Sequence, residues 1–151
     1  MRKILYVIIL ALLMAAPVQK LDVAQLEPVE VVHLSKEGNQ ITLTTDTKAK
    51  GEGTTVRNAL EDLKSKTAGV VYLDTAQYLL LAPAAVKEID EMRQLLKDSV
   101  KLCVAQDPDM ENAAKYLETH GNLPNLKSWK QGMTLPIWKN ERNIEKSENN
   151  A

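Results

Sequence analysis

Few residues in this chain have the types and spacing that chemistry needs. The single cysteine, Cys103, is a nucleophile in type, with His120 or His33 as the base that would activate it. Its neighbours Leu102, Val104 and Ala105 make it read instead as a small buried apolar residue in a strand. Neither a helix start nor a basic cluster adjoins it to lower the thiol pKa. One cysteine cannot form an internal disulfide, and two isolated histidines do not make a metal site, so no metal or cofactor is expected.

The stretch Lys50–Leu63, KGEGTTVRNALEDL, raises phosphate binding. A phosphate loop follows a buried strand and places a lysine after its last glycine, and a dinucleotide fingerprint needs a third glycine where Val56 stands. The simpler expectation is that Gly51 and Gly53 bend the chain and that Thr54 or Thr55 caps a helix. Glu88, Asp90 and Glu91 stand beside Lys87 and Arg93, as on a solvated helix face. Asp74, Thr75 and Gln77 follow an apolar strand, and strand ends are where α/β sheets place ligands. These three are the candidate ligand-binding residues, set against an ordinary turn in which the aspartate bonds its own backbone. Trp129 and Trp138 lie in a proline-containing stretch with Pro124, Leu126, Leu135, Pro136 and Ile137. They either pack back along the domain or present a partner-binding patch.

The elements that must position these residues follow from the apolar periodicity. Val29–Leu34 and Ile41–Thr45 are β-branched runs around KEGNQ, a hairpin with Gly38 and Asn39 at its tip. Asp46–Gly53 reads as a polar loop. Val56, Ala59, Leu60 and Leu63 form one helical stripe, stopped near Gly69. Val70–Leu73 and Tyr78–Leu81 are continuous apolar runs, expected as strands buried on both faces. Pro83 opens a second helix with Val86, Ile89, Met92 and Leu96 inward, and Val100–Ala105 is a further strand. Asp107-Pro108 is a helix start for a third, with Met110, Ala113, Ala114 and Leu117 inward and Gly121 at its end. The order is ββαββαβα, and the fold class is α/β (α+β): a mixed β-sheet with about three helices.

Composition narrows the function classes. At 151 residues the chain holds one domain, and 44% hydrophobic with 26% charged residues is ordinary for a globular fold. Basic and acidic residues number 19 and 20 and are scattered, so no nucleic-acid footprint is present. Arg2 and Lys3 precede the apolar run Ile4–Ala16, which has the length of a signal-peptide core and falls short of the ~20 residues of a spanning helix. Export is therefore expected. Pro17 after Ala15-Ala16 is a poor cleavage site, which leaves residues 4–16 as a candidate membrane tether. The organisation is 1–17 signal peptide or N-terminal anchor, 18–28 linker, 29–121 α/β domain, 122–138 extension with both tryptophans, and 139–151 disordered tail.

Read in series, GTTVRNALEDL, VVYLDTAQYLLLAP, IDEMRQLLKDSVKLCVAQ and ENAAKYL resemble the N-terminal region of the spore germination receptor C-subunit lipoproteins, the Ger(x)C family, over Val29–Leu117. The chain departs from that family in lacking the cysteine that follows the signal segment, and in length. The resemblance implies a truncated or stand-alone relative at the outer face of a membrane, with a non-enzymatic role beside other subunits and no catalytic residues to carry over. Together these readings predict an extracytoplasmic, non-catalytic interaction domain, secreted or membrane-associated, whose partners are membrane or envelope proteins. The alternative is a small extracytoplasmic ligand-binding module.

Overall fold

The computed structural model describes residues 26–138. The apolar segment 4–16, the linker up to residue 25 and the polar tail 139–151 lie outside the described residues. Among the described residues no helix is long and apolar enough to cross a membrane.

The strands are β1 (Leu26–Pro28), β2 (Val31–Glu37), β3 (Gln40–Thr45), β4 (Lys50–Gly53), β5 (Val70–Tyr72), β6 (Tyr78–Leu81) and β7 (Lys101–Val104). The helices are α1 (Val56–Lys66), α2 (Ile89–Met92) and α3 (Ala113–Thr119), with short 3₁₀ turns at Leu73–Thr75 and Pro83–Glu88. Five strands form a mixed sheet in the order β4-β3-β2-β6-β7, and β1 and β5 form a separate parallel pair. The α+β class and the approximate element order therefore match the expectation from sequence.

The hairpin forms around Gly38-Asn39, with Glu37 paired to Gln40 and only Gly38 at positive φ, 58°. That pattern, glycine alone at the first central position, suits the twist of a two-residue hairpin. β6 is buried at every position and pairs in parallel with both β2 and β7, which explains its uninterrupted apolar run. Alternate residues divide the core in two. Leu34, Leu43, Leu79, Leu81 and Leu102 face α1 and the Pro83–Met92 segment. Val31, Tyr78, Leu80 and Cys103 face α3 and Trp138.

Four sequence expectations are corrected. Lys50–Gly53 is not part of a loop but the edge strand β4, in which Gly51 and Gly53 turn toward α1. A Cβ on Gly51 would stand 2.1 Å from the Ala59 carbonyl oxygen, and one on Gly53 2.6 Å from the Ala59 nitrogen. These glycines admit a close-packed helix rather than bend the chain. Val70–Tyr72 is not buried on both faces, because β5 pairs only with β1 and leaves Val70 and Tyr72 outside. β1 itself falls in the stretch expected as linker. The third helix begins at Ala113, not at Asp107-Pro108, since an Asp109–Asn112 turn intervenes, with Asn112 Nδ2 donating to Asp109.

Residues 122–138 run back along the outer edge of β7 as a strap. Leu102 N donates to Pro124 O at 2.7 Å, Val104 N to Pro136 O at 2.8 Å and Trp138 N to Val104 O at 2.7 Å. The Arg93 guanidinium donates to the carbonyls of Leu126 and Trp129, 3.0 Å each, and lies 5.6 Å from the Trp129 ring centroid. Donors fixed to α2 thus hold the strap where its own chain has no regular secondary structure.

Candidate functional site

The α1 N-terminus is capped as the sequence suggested: Thr55 Oγ1 accepts from Asn58 N at 3.1 Å. Where an anion would sit, the chain supplies its own carboxylate, because Glu91 Oε2 accepts from Val56 N at 3.2 Å. Glu88 likewise meets Lys36 at 2.5 Å. Asp90 and Glu91 are exposed as expected of a solvated face and Glu88 is half-buried, while Glu88 and Glu91 also tie α2 and its 3₁₀ lead to the rest of the fold.

Asp74, Thr75 and Gln77 lie together between β5 and β6, all exposed. Thr75 Oγ1 accepts from Val29 N at 3.0 Å and stands 2.9 Å from both the Val29 and Tyr72 carbonyls. Gln77 N donates to Glu30 O. Thr75 is therefore a clasp between chain segments 46 residues apart, with its hydroxyl already engaged.

Both tryptophans pack inward, Trp129 7% and Trp138 8% exposed. Trp129 joins the core under α1 and α2, and Trp138 joins the core under α3. Met133 and Ile137 of the strap are exposed, 44% and 67%, and the other large exposed apolar side chains among the described residues gather on β1 and β5. Leu26, Pro28, Val70 and Tyr72 share the outer face of the β1–β5 pair, where Leu26 stands opposite Val70 and Pro28 opposite Tyr72. Leu26 is 50% exposed, Val70 59% and Tyr72 43%. The sequence signal for this face was present in the VVYL run, but its apolarity was assigned to a buried strand.

A second feature escaped the sequence reading. A cavity of 280 Å³ lies between α3 and the end of the strap, with Cys103, Tyr116, His120, Leu123 and Trp138 among its walls. Three rings line it in a stack: Tyr116 on Trp138 at 4.7 Å and His120 on Tyr116 at 3.9 Å, both 22° from parallel. His120 Nδ1 lies 3.0 Å from Tyr116 O, the distance of an Nδ1–H donating to that carbonyl, which leaves Nε2 as the remaining polar atom of the ring.

Cys103 and His120 thus share one cavity, yet the thiol is not armed. Burial pushes its pKa up, and Sγ stands 3.4 Å from the Pro136 carbonyl, which accepts its proton. His33 lies on the same sheet face, in register with Leu80 and Cys103 across β6. Burial lowers its pKa against the opposing effects of the Ala105 backbone and Asp107, and its Nε2 has no hydrogen-bond partner among the described residues. Among the described residues no group of three or more His, Cys, Asp or Glu could hold a metal ion. No family model, curated protein or solved structure matches this chain.

Proposed function

We propose that this chain is a non-catalytic interaction domain of the cell envelope, carried across the membrane by its N-terminal apolar segment and held near its outer face. The observation that carries the reading is the outer face of the β1–β5 pair. Four apolar residues stand side by side there on two strands, and no third strand or helix covers them among the described residues. Apolar groups grouped in this way mark protein contact surfaces more often than scattered ones do. β1 begins ten residues after the apolar segment ends, so this face stays within reach of the membrane surface and its resident proteins. The Ger(x)C resemblance supplies one kind of partner, the other subunits of a germination receptor. The protonated, carbonyl-bonded Cys103 thiol is the chemical argument against a catalytic role.

The test is site-specific photocrosslinking in the native membrane fraction, with the full chain carrying the crosslinker at Val70 or Tyr72 and, as a control, at Lys64 on α1. A discrete adduct with an envelope protein from the first two positions only is the expected result. A processed chain recovered free in the medium, with no adduct from any position, overturns it.

A further inference from the structure

We infer that the cavity between α3 and the strap is a binding site for a small, flat, uncharged molecule built on an aromatic ring system. Size comes first. An enclosed apolar cavity of about 150 Å³ holds one benzene ring, and this pocket of 280 Å³, half open to solvent, has room for a molecule of about two fused rings. Shape follows from the walls. Trp138, Tyr116 and His120 stack nearly parallel, and a planar ligand meets such ring walls by offset or edge contact at little conformational cost. Charge is set by what is missing from the lining: no Lys, Arg, Asp or Glu side chain borders the cavity. The pocket is half open, with His120, Gly121 and Asn122 exposed at its rim, so an ionised ligand would be partly dehydrated there with no fixed counter-charge beside it. Polarity is confined to a few groups. With Nδ1 held by Tyr116 O, His120 Nε2 is placed to accept from one ligand hydroxyl or N–H, and Asn122 and Cys103 are further polar side chains of the lining. Ile137, 67% exposed, stands at the mouth and gives the ligand a way in.

This combination of a mainly apolar, ring-lined pocket with a few polar groups is the usual construction of a small-molecule site. Its basis is independent of the partner surface, which uses β1 and β5 and shares no residue with it.

The experiment uses the full chain in lipid nanodiscs and a fluoronaphthol probe observed by fluorine NMR, with empty nanodiscs measured for non-saturable partitioning. A saturable bound signal is expected, displaced by unlabelled naphthol, with the matching naphthoate at least about tenfold weaker as a competitor because its charge must be desolvated. His120→Ala, which removes a ring contact and the acceptor, weakens binding by about tenfold. Ile137→Asp, whose side chain is 67% exposed, weakens it as well. Absence of a saturable signal overturns the site. So does equal competition by naphthoate, or full binding retained in either folded variant.

Discussion

Gly51→Ala tests the least expected contact in the fold, the seating of α1 on β4. The added Cβ would stand 2.1 Å from Ala59 O, 2.4 Å from Leu63 N and 2.5 Å from Leu63 Cβ. Ala59 O and Leu63 N are four residues apart on α1, the acceptor and donor of one helical hydrogen bond, so the methyl would be driven between them. Ordinary carbon contacts begin near 3.5 Å, and the obstacle is backbone, so the helix itself must move away from the sheet. Overpacking of this kind costs about 1–3 kcal/mol, and loss of the wedged hydrogen bond adds about 1 kcal/mol. The expected destabilisation is therefore about 2–4 kcal/mol, a fall in Tm of roughly 10–20 °C for a domain of this size. Urea and thermal melts followed by circular dichroism measure it, with Gly121→Ala as the comparison, since nothing lies within 4 Å of a Cβ there. Gly53→Ala would strike Ala59 N at 2.6 Å and Asn58 Cβ at 2.7 Å. One displacement of α1 relieves both glycine positions, so the double variant should cost less than the sum of the singles. A Gly51→Ala protein as stable as wild type within about 0.5 kcal/mol, inside the ordinary range for surface substitutions, would refute the close seating of α1 on β4.

Three further outcomes follow from the contacts described. Thr55→Ala removes the α1 cap and should cost about 1 kcal/mol, while Thr55→Ser should be close to neutral in the same melts. Arg93→Met keeps an apolar stem but removes the Nη2 that donates to both the Leu126 and Trp129 carbonyls; about 1–2 kcal/mol of stability should go with it, and amides of residues 124–130 should exchange faster with solvent. His33 binds its proton less readily folded than unfolded, so its contribution to stability is whole above the unfolded value of 6.5 and is lost as pH falls from there through the lowered folded value. His33→Leu should therefore flatten the decline in stability between neutrality and the onset of carboxylate titration near pH ~5, read as urea midpoints against pH.

What could be read from the sequence was whatever a local pattern decides. The hairpin, the α1 stripe with its threonine cap, and the buried strand YLLL each carry their period or turn residues within a dozen positions. β4 was missed because KGEG combines two glycines with two charges, a composition depleted in strands. Its signal was the alternation itself: glycines on the face that α1 covers, Lys50 and Glu52 on the other. β5 failed in the opposite direction. An apolar run was assigned burial that depends on which strand lies beside it, and that is a long-range fact. The cavity was out of reach for the same reason, since Cys103, His120 and Trp138 meet only when the strap turns back along β7. Asp74, Thr75 and Gln77, the candidate ligand-binding residues, stand at the junction of β5 and β6, where the Thr75 hydroxyl is spent on Val29 and Tyr72, as threonines in turns often are.

The strap also narrows how this domain can meet a partner. A five-stranded sheet has two edges that an extended peptide could join, and main-chain pairing at such an edge is a common recognition mode. Here β4 is a four-residue edge that carries Lys50 and Glu52, a short charged strand of the kind that discourages pairing. At the other edge, β7 is already bonded to residues 124–138. A peptide competing for β7 would have to lift Leu126, Trp129, Leu135 and Trp138 out of the core, all at least 92% buried. At about 2 kcal/mol for each buried side chain, that displacement costs roughly 8 kcal/mol before any new contact forms. A peptide adding four or five backbone hydrogen bonds at about 1 kcal/mol each does not recover it. Strand addition to the main sheet is therefore unfavourable at both edges. The proposed partner face on β1 and β5 belongs to the separate two-stranded sheet and needs neither edge of the main one.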